Sequence, residues 1–111
     1  MPAILANARR LHRSGGQIVG GSDAGITPSK PHDVARVAVG ALIELGMTPA
    51  EALRACTSRA AVVCGLGDRK GRIAPGYDAD LLVVDGDPLH DPDALHDIRA
   101  VYVRGTRLET R

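Results

Sequence analysis

The 111-residue sequence has no Phe or Trp and only two Tyr. Aromatic side chains supply much of the apolar surface that protein cores bury, so a core here must be built from aliphatic residues. Leu, Val and Ile together number 27, which is enough to exclude a disordered chain on composition. Because a small domain buries a smaller fraction of its surface than a large one, we expect a thin core that leaves apolar surface exposed.

Other absences exclude whole classes of protein. No apolar run reaches the length of about 18 residues that a membrane span needs, and the N-terminal residues lack the charge order of a signal peptide. The net charge of +1 argues against a nucleic-acid-binding domain, which usually has a basic face. Cys56 and Cys64 lie too far apart on one predicted helix for a disulfide, and free thiols favour a cytoplasmic location.

Three stretches have apolar residues at helical spacing, at about residues 4–13, 32–45 and 48–64. Thr48 and Glu51 have the spacing of a capping box, and a glycine follows each helix as a C-terminal cap. The stripe of the second helix is predicted to be formed by Val34, Val37, Ala41, Leu42 and Leu45. These patterns indicate a predominantly helical first half.

Short apolar runs separated by turn residues predict the strands. Residues 17–21 form a buried strand between the first two helices, and residues 80–85 form a second buried strand. A hairpin follows, in which residues 100–104 and 107–109 flank a type II′ turn at Gly105-Thr106. This order of elements predicts an α/β protein, with a boundary near residues 65–71.

Asp23 is the sharpest candidate for a functional residue. It lies at the carboxyl end of the predicted strand at residues 17–21, the end at which ligands bind in α/β sheets and barrels. A carboxylate there can hold a metal or accept a proton from metal-bound water, but an Asp in a turn can also cap its own loop. His32, at the start of the next helix, can face the same mouth or be solvated.

The remaining sequence offers no complete site. A catalytic metal needs about three protein ligands, and there is no His-x-His, CxxC or His-Glu-x-x-His motif to provide them. The pairs His90-Asp91 and His96-Asp97 indicate a surface loop. The glycines around Asp23 would also suit a small phosphate-binding domain, although the carboxylate would repel phosphate. The residues alone therefore predict at most one edge of an active site.

The ordered motifs of the chain resemble the C-terminal end of an amidohydrolase-superfamily enzyme, similar to imidazolonepropionase-like and Xaa-Pro dipeptidase-like members. The resemblance spans about residues 5–109 and rests on the segments IVGGSDAG (18–25), PHD (31–33), GMTPAEALRACT (46–57) and GRIAPGYDADLLVVDGDP (71–88). It implies the C-terminal fragment of a (β/α)8 TIM barrel, containing the last strand and its helices, in residues 1–65. Residues 66–111 would then supply strands of a small composite β-sandwich.

The resemblance also implies a function. Family members hydrolyse amide, cyclic amide or related C–N bonds of small-molecule substrates with one or two divalent metals, often zinc. Asp23 matches the aspartate that binds the metal and carries the proton from the attacking water to the leaving amine. Ser22 replaces a more usual Thr, and we assign Ser22 and His32 to the substrate or to the surroundings of the metal.

The other metal ligands of the family have no counterpart in this sequence. We therefore expect a truncated or split enzyme that is inactive alone and holds no metal by itself. The alternative is a non-catalytic interaction module that completes a barrel in trans with an N-terminal half, or that self-associates. Neither nucleic acid nor a membrane is an expected partner.

Overall fold

The computed structural model describes residues 3–21 and 35–109. These residues form a small α/β unit in which helices precede a three-stranded antiparallel sheet. The elements are α1 (Ala3–Arg13), α2 (Ala35–Glu44), α3 (Pro49–Cys56), α4 (Ser58–Val63), β1 (Leu81–Val84), a 3₁₀ helix (Pro92–His96), β2 (Ile98–Val103) and β3 (Thr106–Leu108). Within these ranges no helix has the length and apolar character needed to cross a membrane.

Helix α2 ends at a Schellman motif centred on Gly46, as the sequence predicted. Gly46 has φ +114°, a value that glycine adopts without steric cost. Its N–H donates to the Ile43 carbonyl at 2.9 Å, and the Met47 N–H donates to the Leu42 carbonyl at 3.2 Å. This turn brings Met47 back towards Leu42, and both side chains are buried in the core.

The start of α3 confirms one half of the predicted capping box. The Glu51 N–H donates to Thr48 Oγ1 at 3.2 Å, and the Thr48 hydroxyl lies 3.1 Å from Glu51 Oε1. A single helix over residues 48–64 is wrong, because the chain breaks at Thr57 with φ −126° and ψ −90°. The Thr57 hydroxyl donates to the Leu53 carbonyl at 2.6 Å, a side-chain bond that competes with continued helix.

The predicted stripe of α2 is only partly buried. Leu42 and Leu45 are buried together with Val39, which was not predicted, whereas Val37 is 53% exposed. Ala41 is also exposed, and Val34 lies outside the described residues. Because α2 is apolar on nearly every side, spacing alone could not select the face that packs inward.

The hydrophobic core joins elements from both halves of the chain. Its buried members are Val39, Leu42, Leu45, Met47, Ala52, Ala55 and Leu95, with Ala8, Ile18 and Val84 packed against them. In the described residues only the two alanines, at 0%, are less than 2% exposed. The accessible surface is 7848 Å², against roughly 5,800 Å² for a compact protein of this mass. The core is therefore thin, as the composition predicted.

The sheet has the order β1-β2-β3, with Leu82 opposite Val101 and Val101 opposite Leu108. The strand predicted at residues 80–85 is confirmed, but its burial is not, because Leu82 and Val83 are 46% and 43% exposed. The described residues cover only part of the sheet surface, so these apolar side chains of β1 remain accessible to solvent.

The hairpin turn lies one residue earlier than predicted. Arg104 and Gly105 occupy the loop with φ +48° and +80°, and Val103 pairs with Thr106. Positive φ at both positions defines a type I′ turn instead of type II′. The Arg104 N–H donates to Asp80 Oδ1 at 2.9 Å, and the Gly105 N–H donates to the Ala79 carbonyl at 3.0 Å. Contacts from the chain before β1 therefore stabilise this turn.

Candidate functional site

The segment at residues 17–21 leads to the predicted site, and it forms no sheet ladder with any described residue. The expected strand is therefore not formed in this structure. A strand satisfies its N–H and C=O groups through a neighbouring strand, and here the neighbour is helix α3. The Gly20 N–H donates to the carbonyl of Ala55 at 3.0 Å.

The two sides of this segment have different surroundings. Ile18 packs against the helical core, and a Cβ on Gly20 would lie 2.6 Å from Cys56 Sγ. Only glycine permits this close approach of the segment to α3. Gln17 and Val19 instead line an open groove. Residues 17–21 are thus anchored on the helices by one side and face the groove with the other.

The three residues assigned to the site from the sequence are Asp23, Ser22 and His32. All three lie outside the described residues, and their assignments remain predictions. The described chain ends at Gly21, two positions before Asp23. The structure therefore describes the segment that approaches Asp23 but not the position of its carboxylate.

A divalent metal is the cofactor that the resemblance implies. Within residues 3–21 and 35–109, no three His, Cys, Asp or Glu side chains converge in a way that could hold a metal ion. The described residues therefore do not fit the metal by themselves, and any metal site would need ligands from elsewhere.

The residues around His90 form a hydrogen-bonded surface loop. His90 Nδ1 lies 2.7 Å from Asp87 Oδ2, and the Leu89 N–H donates to Asp87 Oδ1 at 2.9 Å. The backbone hydrogen bond from Leu89 and then the contact with His90 hold the pKa of Asp87 below its ordinary value. Asp91 caps the 3₁₀ helix by accepting from the Asp93 N–H at 3.0 Å. These carboxylates order the loop.

A second group of charged side chains joins the loop before β1 to the hairpin turn. Lys70 Nζ lies 2.6 Å from Asp80 Oδ2 and 3.0 Å from Asp78 Oδ2, and Arg69 also reaches Asp78 at 3.0 Å. Lys70 and then Arg69 hold the pKa of Asp78 below its ordinary value. Lys70 and then the Arg104 N–H do the same for Asp80. The cluster stabilises the connection between the two parts of the chain.

An open groove of about 670 Å³ lies between residues 17–21 and α4. Its described lining includes three arginines, Arg54, Arg59 and Arg72, and the apolar residues Val62, Val63 and Ile73. Sequence reasoning missed this groove because its arginines come from α3, α4 and the loop after α4. No local motif joins them, and the fold alone brings them to one surface.

Comparison with known proteins identifies the family. The model of the Amidohydrolase family matches residues 2–108. Imidazolonepropionase from Deinococcus deserti is 36% identical over 108 residues, which cover 93% of this chain and 26% of the relative. The structural match to an Xaa-Pro dipeptidase with bound methionine in the active site covers 98% of this chain and 26% of that structure, at TM-score 0.87 and 28% identity. An amidohydrolase from Thermotoga maritima gives TM-score 0.72 and 30% identity over 96% of this chain and 26% of that structure.

The chain belongs to the amidohydrolase family. This membership confirms the resemblance that the ordered sequence motifs indicated. The chain spans about a quarter of the length of these proteins, and within that span its α/β fold follows theirs.

Proposed function

We propose that this chain provides the C-terminal part of a metal-dependent amidohydrolase acting on amide or cyclic amide C–N bonds of a small-molecule substrate. The observation that carries the proposal is the match over 98% of the chain to an Xaa-Pro dipeptidase at TM-score 0.87. The imidazolonepropionase relative, aligned over 93% of the chain, supports hydrolytic chemistry in the same family.

Asp23 is the chain's proposed contribution to the reacting centre. A carboxylate at the end of a barrel strand is suitably placed to take a proton from an attacking water and deliver it to the leaving amine. In the family the same carboxylate binds the metal, with zinc the expected ion. Ser22 and His32 are proposed to line the substrate side. The anchoring of residues 17–21 through Gly20 and Ala55 supports this assignment because it restrains the backbone that leads to Asp23.

The isolated chain is proposed to be inactive. One carboxylate cannot hold a catalytic metal, and the described residues offer no ligand cluster. The proposed partner is an N-terminal half that supplies the other ligands and completes the barrel in trans. Among the described residues, no strand pairs with residues 17–21, and Leu82 and Val37 are exposed. Both features support such a partner, since unpaired backbone and apolar surface of this kind are usually covered.

The alternative is an interaction module without catalysis, and the same two features of the described residues favour it. Cytoplasmic location is proposed in either case, because Cys56 and Cys64 are both free. Purified chain should be assayed for bound zinc and for hydrolysis of amide and dipeptide substrates. The proposal expects neither; stoichiometric zinc together with turnover would refute the inactivity of the isolated chain.

A complementation assay separates the two candidates. Addition of the N-terminal part of an amidohydrolase, about three quarters of its length, should produce hydrolysis if the chain completes an active barrel. The Asp23→Asn variant should bind that part equally but give no hydrolysis, whereas Asp68→Asn, at an exposed position outside the family motifs, is a charge-matched control that keeps hydrolysis. Binding without hydrolysis by the parent chain would favour the interaction module.

A further inference from the structure

Residues 55–58, where α3 ends and α4 begins, contact both the segment that leads to Asp23 and the loop that follows α4. We call these four residues the α3–α4 junction. We propose that Thr57 and Gly71 hold this junction in place and thereby position the Asp23 carboxylate. Both act through the junction as positioning residues, without touching the reacting atoms. The inference rests on the proposed function and adds two residues to the site.

The first two residues of the junction hold the segment at residues 17–21. The Ala55 carbonyl accepts from the Gly20 N–H at 3.0 Å, and a Cβ on Gly20 would lie 2.6 Å from Cys56 Sγ and 3.6 Å from Cys56 Cα. Gly20 lies three positions before Asp23 in the sequence. Because closely packed atoms transmit a displacement to their neighbours, a shift of Ala55 or Cys56 moves the backbone that leads to Asp23.

The last two residues of the junction meet Gly71. A Cβ on Gly71 would lie 2.7 Å from the Thr57 carbonyl oxygen and 2.9 Å from Ser58 Cα. It would also lie 2.9 Å from Ala61 Cβ in α4. These distances are shorter than those at which non-bonded atoms pack. The loop after α4 therefore lies against the junction as closely as a residue without a side chain allows.

The loop at Gly71 is tied down at several points, so it does not simply move away from an added methyl group. The Lys70 N–H donates to the Leu66 carbonyl at 2.9 Å. Lys70 Nζ lies 3.0 Å from Asp78 Oδ2 and 2.6 Å from Asp80 Oδ2. We therefore expect a side chain at position 71 to displace the junction.

Thr57 holds the junction from within. Its φ of −126° and ψ of −90° are not helical, so the regular backbone of α3 does not continue through the junction. The Thr57 hydroxyl donates to the Leu53 carbonyl at 2.6 Å, which ties the junction to the preceding turn of α3. A serine hydroxyl can make the same bond, whereas valine cannot. Thr57→Val should therefore release the junction, and Thr57→Ser should keep it.

Two pairs of variants test the inference. Gly71→Ala and Gly76→Ala both place alanine at positive φ, +89° and +86°, so the two changes share the same backbone cost. A Cβ on Gly76 meets no atom of the described residues within 4 Å, which makes Gly76→Ala the control for the contact with the junction. Thr57→Val and Thr57→Ser form the second pair and decide the question if Gly71→Ala does not fold. Far-UV circular dichroism gives the folded fraction of each variant.

The first measurement needs no enzymatic activity. Iodoacetamide labels the isolated chain, and peptide mass spectrometry gives the labelling rate of half-buried Cys56 relative to exposed Cys64. Gly71→Ala and Thr57→Val should raise this ratio about fivefold, because a displaced junction separates Cys56 from Gly20 and opens access to the thiol. Gly76→Ala and Thr57→Ser should leave the ratio within about twofold of the parent value.

The second measurement uses the complementation assay with the N-terminal part of an amidohydrolase. Per folded chain, Gly71→Ala and Thr57→Val should lower kcat about tenfold, since a small misplacement of a catalytic group slows the reaction. KM should stay within about twofold, because substrate binding itself is not changed. Gly76→Ala and Thr57→Ser should keep the kcat of the parent.

Two results would overturn the inference. One is a thiol ratio in Gly71→Ala and Thr57→Val that equals the ratio in their controls. The other is a raised ratio with unchanged kcat, which would separate the junction from Asp23. A parent complex without hydrolysis would instead refute the proposed function, and the thiol ratio would still decide whether Thr57 and Gly71 hold the junction.

Discussion

The contact between Gly20 and α3 gives a quantitative test of how the segment before Asp23 is held. In Gly20→Ala, the new Cβ would lie 2.6 Å from Cys56 Sγ, a distance that requires the segment or the thiol to move. Movement of the segment would also lengthen the bond from the Gly20 N–H to the Ala55 carbonyl, now 3.0 Å.

The expected cost follows from these two effects. Overpacking by one methyl group destabilises a protein by about 1–3 kcal/mol, and a weakened backbone hydrogen bond adds up to about 1 kcal/mol. We expect Gly20→Ala to lower the free energy of unfolding by about 2 kcal/mol, a large share of the stability of a small domain. Gly21→Ala is the matched control, because a Cβ there would have no atom of the described residues within 4 Å; its effect should stay within about 0.5 kcal/mol.

Urea unfolding followed by far-UV circular dichroism measures both variants. Cys56→Ala removes the sulfur atom that the new methyl group meets, so the double variant should recover about 1 kcal/mol or more relative to the sum of the single variants. The close contact between Gly20 and Cys56 is refuted if Gly20→Ala is as mild as Gly21→Ala, or if the effects of Gly20→Ala and Cys56→Ala simply add.

Three further predictions follow from the described contacts. Thr48→Ala should cost about 1 kcal/mol of unfolding free energy through loss of the α3 cap, whereas Thr48→Ser should be close to the parent; equal losses would contradict the capping role. The lowered pKa values of Asp78 and Asp80 stabilise the fold above the unfolded-state pKa of about 3.9, and this contribution is lost as the pH falls through the lower folded values. Melting temperatures should therefore fall more steeply in acid for the parent than for Asp78→Asn with Asp80→Asn, and parallel curves would contradict this. Burial raises the pKa of the Cys56 thiol and restricts access, so iodoacetamide at pH 8 should label exposed Cys64 first, with the order read by peptide mass spectrometry; faster labelling of Cys56 would contradict it.

Helix ends were predictable because their signals are local. Gly46 supplies the positive φ that a Schellman motif needs, and Thr48 lies three residues before the N–H that it caps. The break at Thr57 was not predicted. Its hydroxyl bonds the carbonyl four residues earlier, and Thr residues make such bonds within continuous helices as well.

Tertiary contacts decided the features that the sequence left open. The hairpin turn moved to Arg104 and Gly105, where N–H groups bond to Asp80 and Ala79 across a separation of more than 20 residues. Residues 17–21 have strand composition, but pairing depends on a neighbour, and among the described residues that neighbour is α3. Neither contact can be read from the local pattern.

The residues of the candidate site also differ in whether the sequence could predict them. Asp23 could be predicted as a functional residue from its position after an apolar run. Its specific role came from the family resemblance and is tested by the variants below. The groove lined by Arg54, Arg59 and Arg72 could not be predicted, because these residues are separated in sequence and each one alone has the pattern of an ordinary solvated side chain. Burial of Leu95 with α2 and α3 was also unpredictable, because it joins the two halves of the chain.

A chimera gives the sharpest test of whether this chain carries the C-terminal part of an amidohydrolase site. The aligned segment of the Deinococcus deserti imidazolonepropionase, which is 36% identical over 108 residues, would be replaced by this chain, and the activity of the relative would be measured. We expect the chimera to be active, Asp23→Asn to lower its kcat by about 100-fold or more, and Asp68→Asn, at an exposed position outside the family motifs, to leave kcat near that of the chimera. A folded chimera in which Asp23→Asn keeps full activity would contradict the proposed role of Asp23.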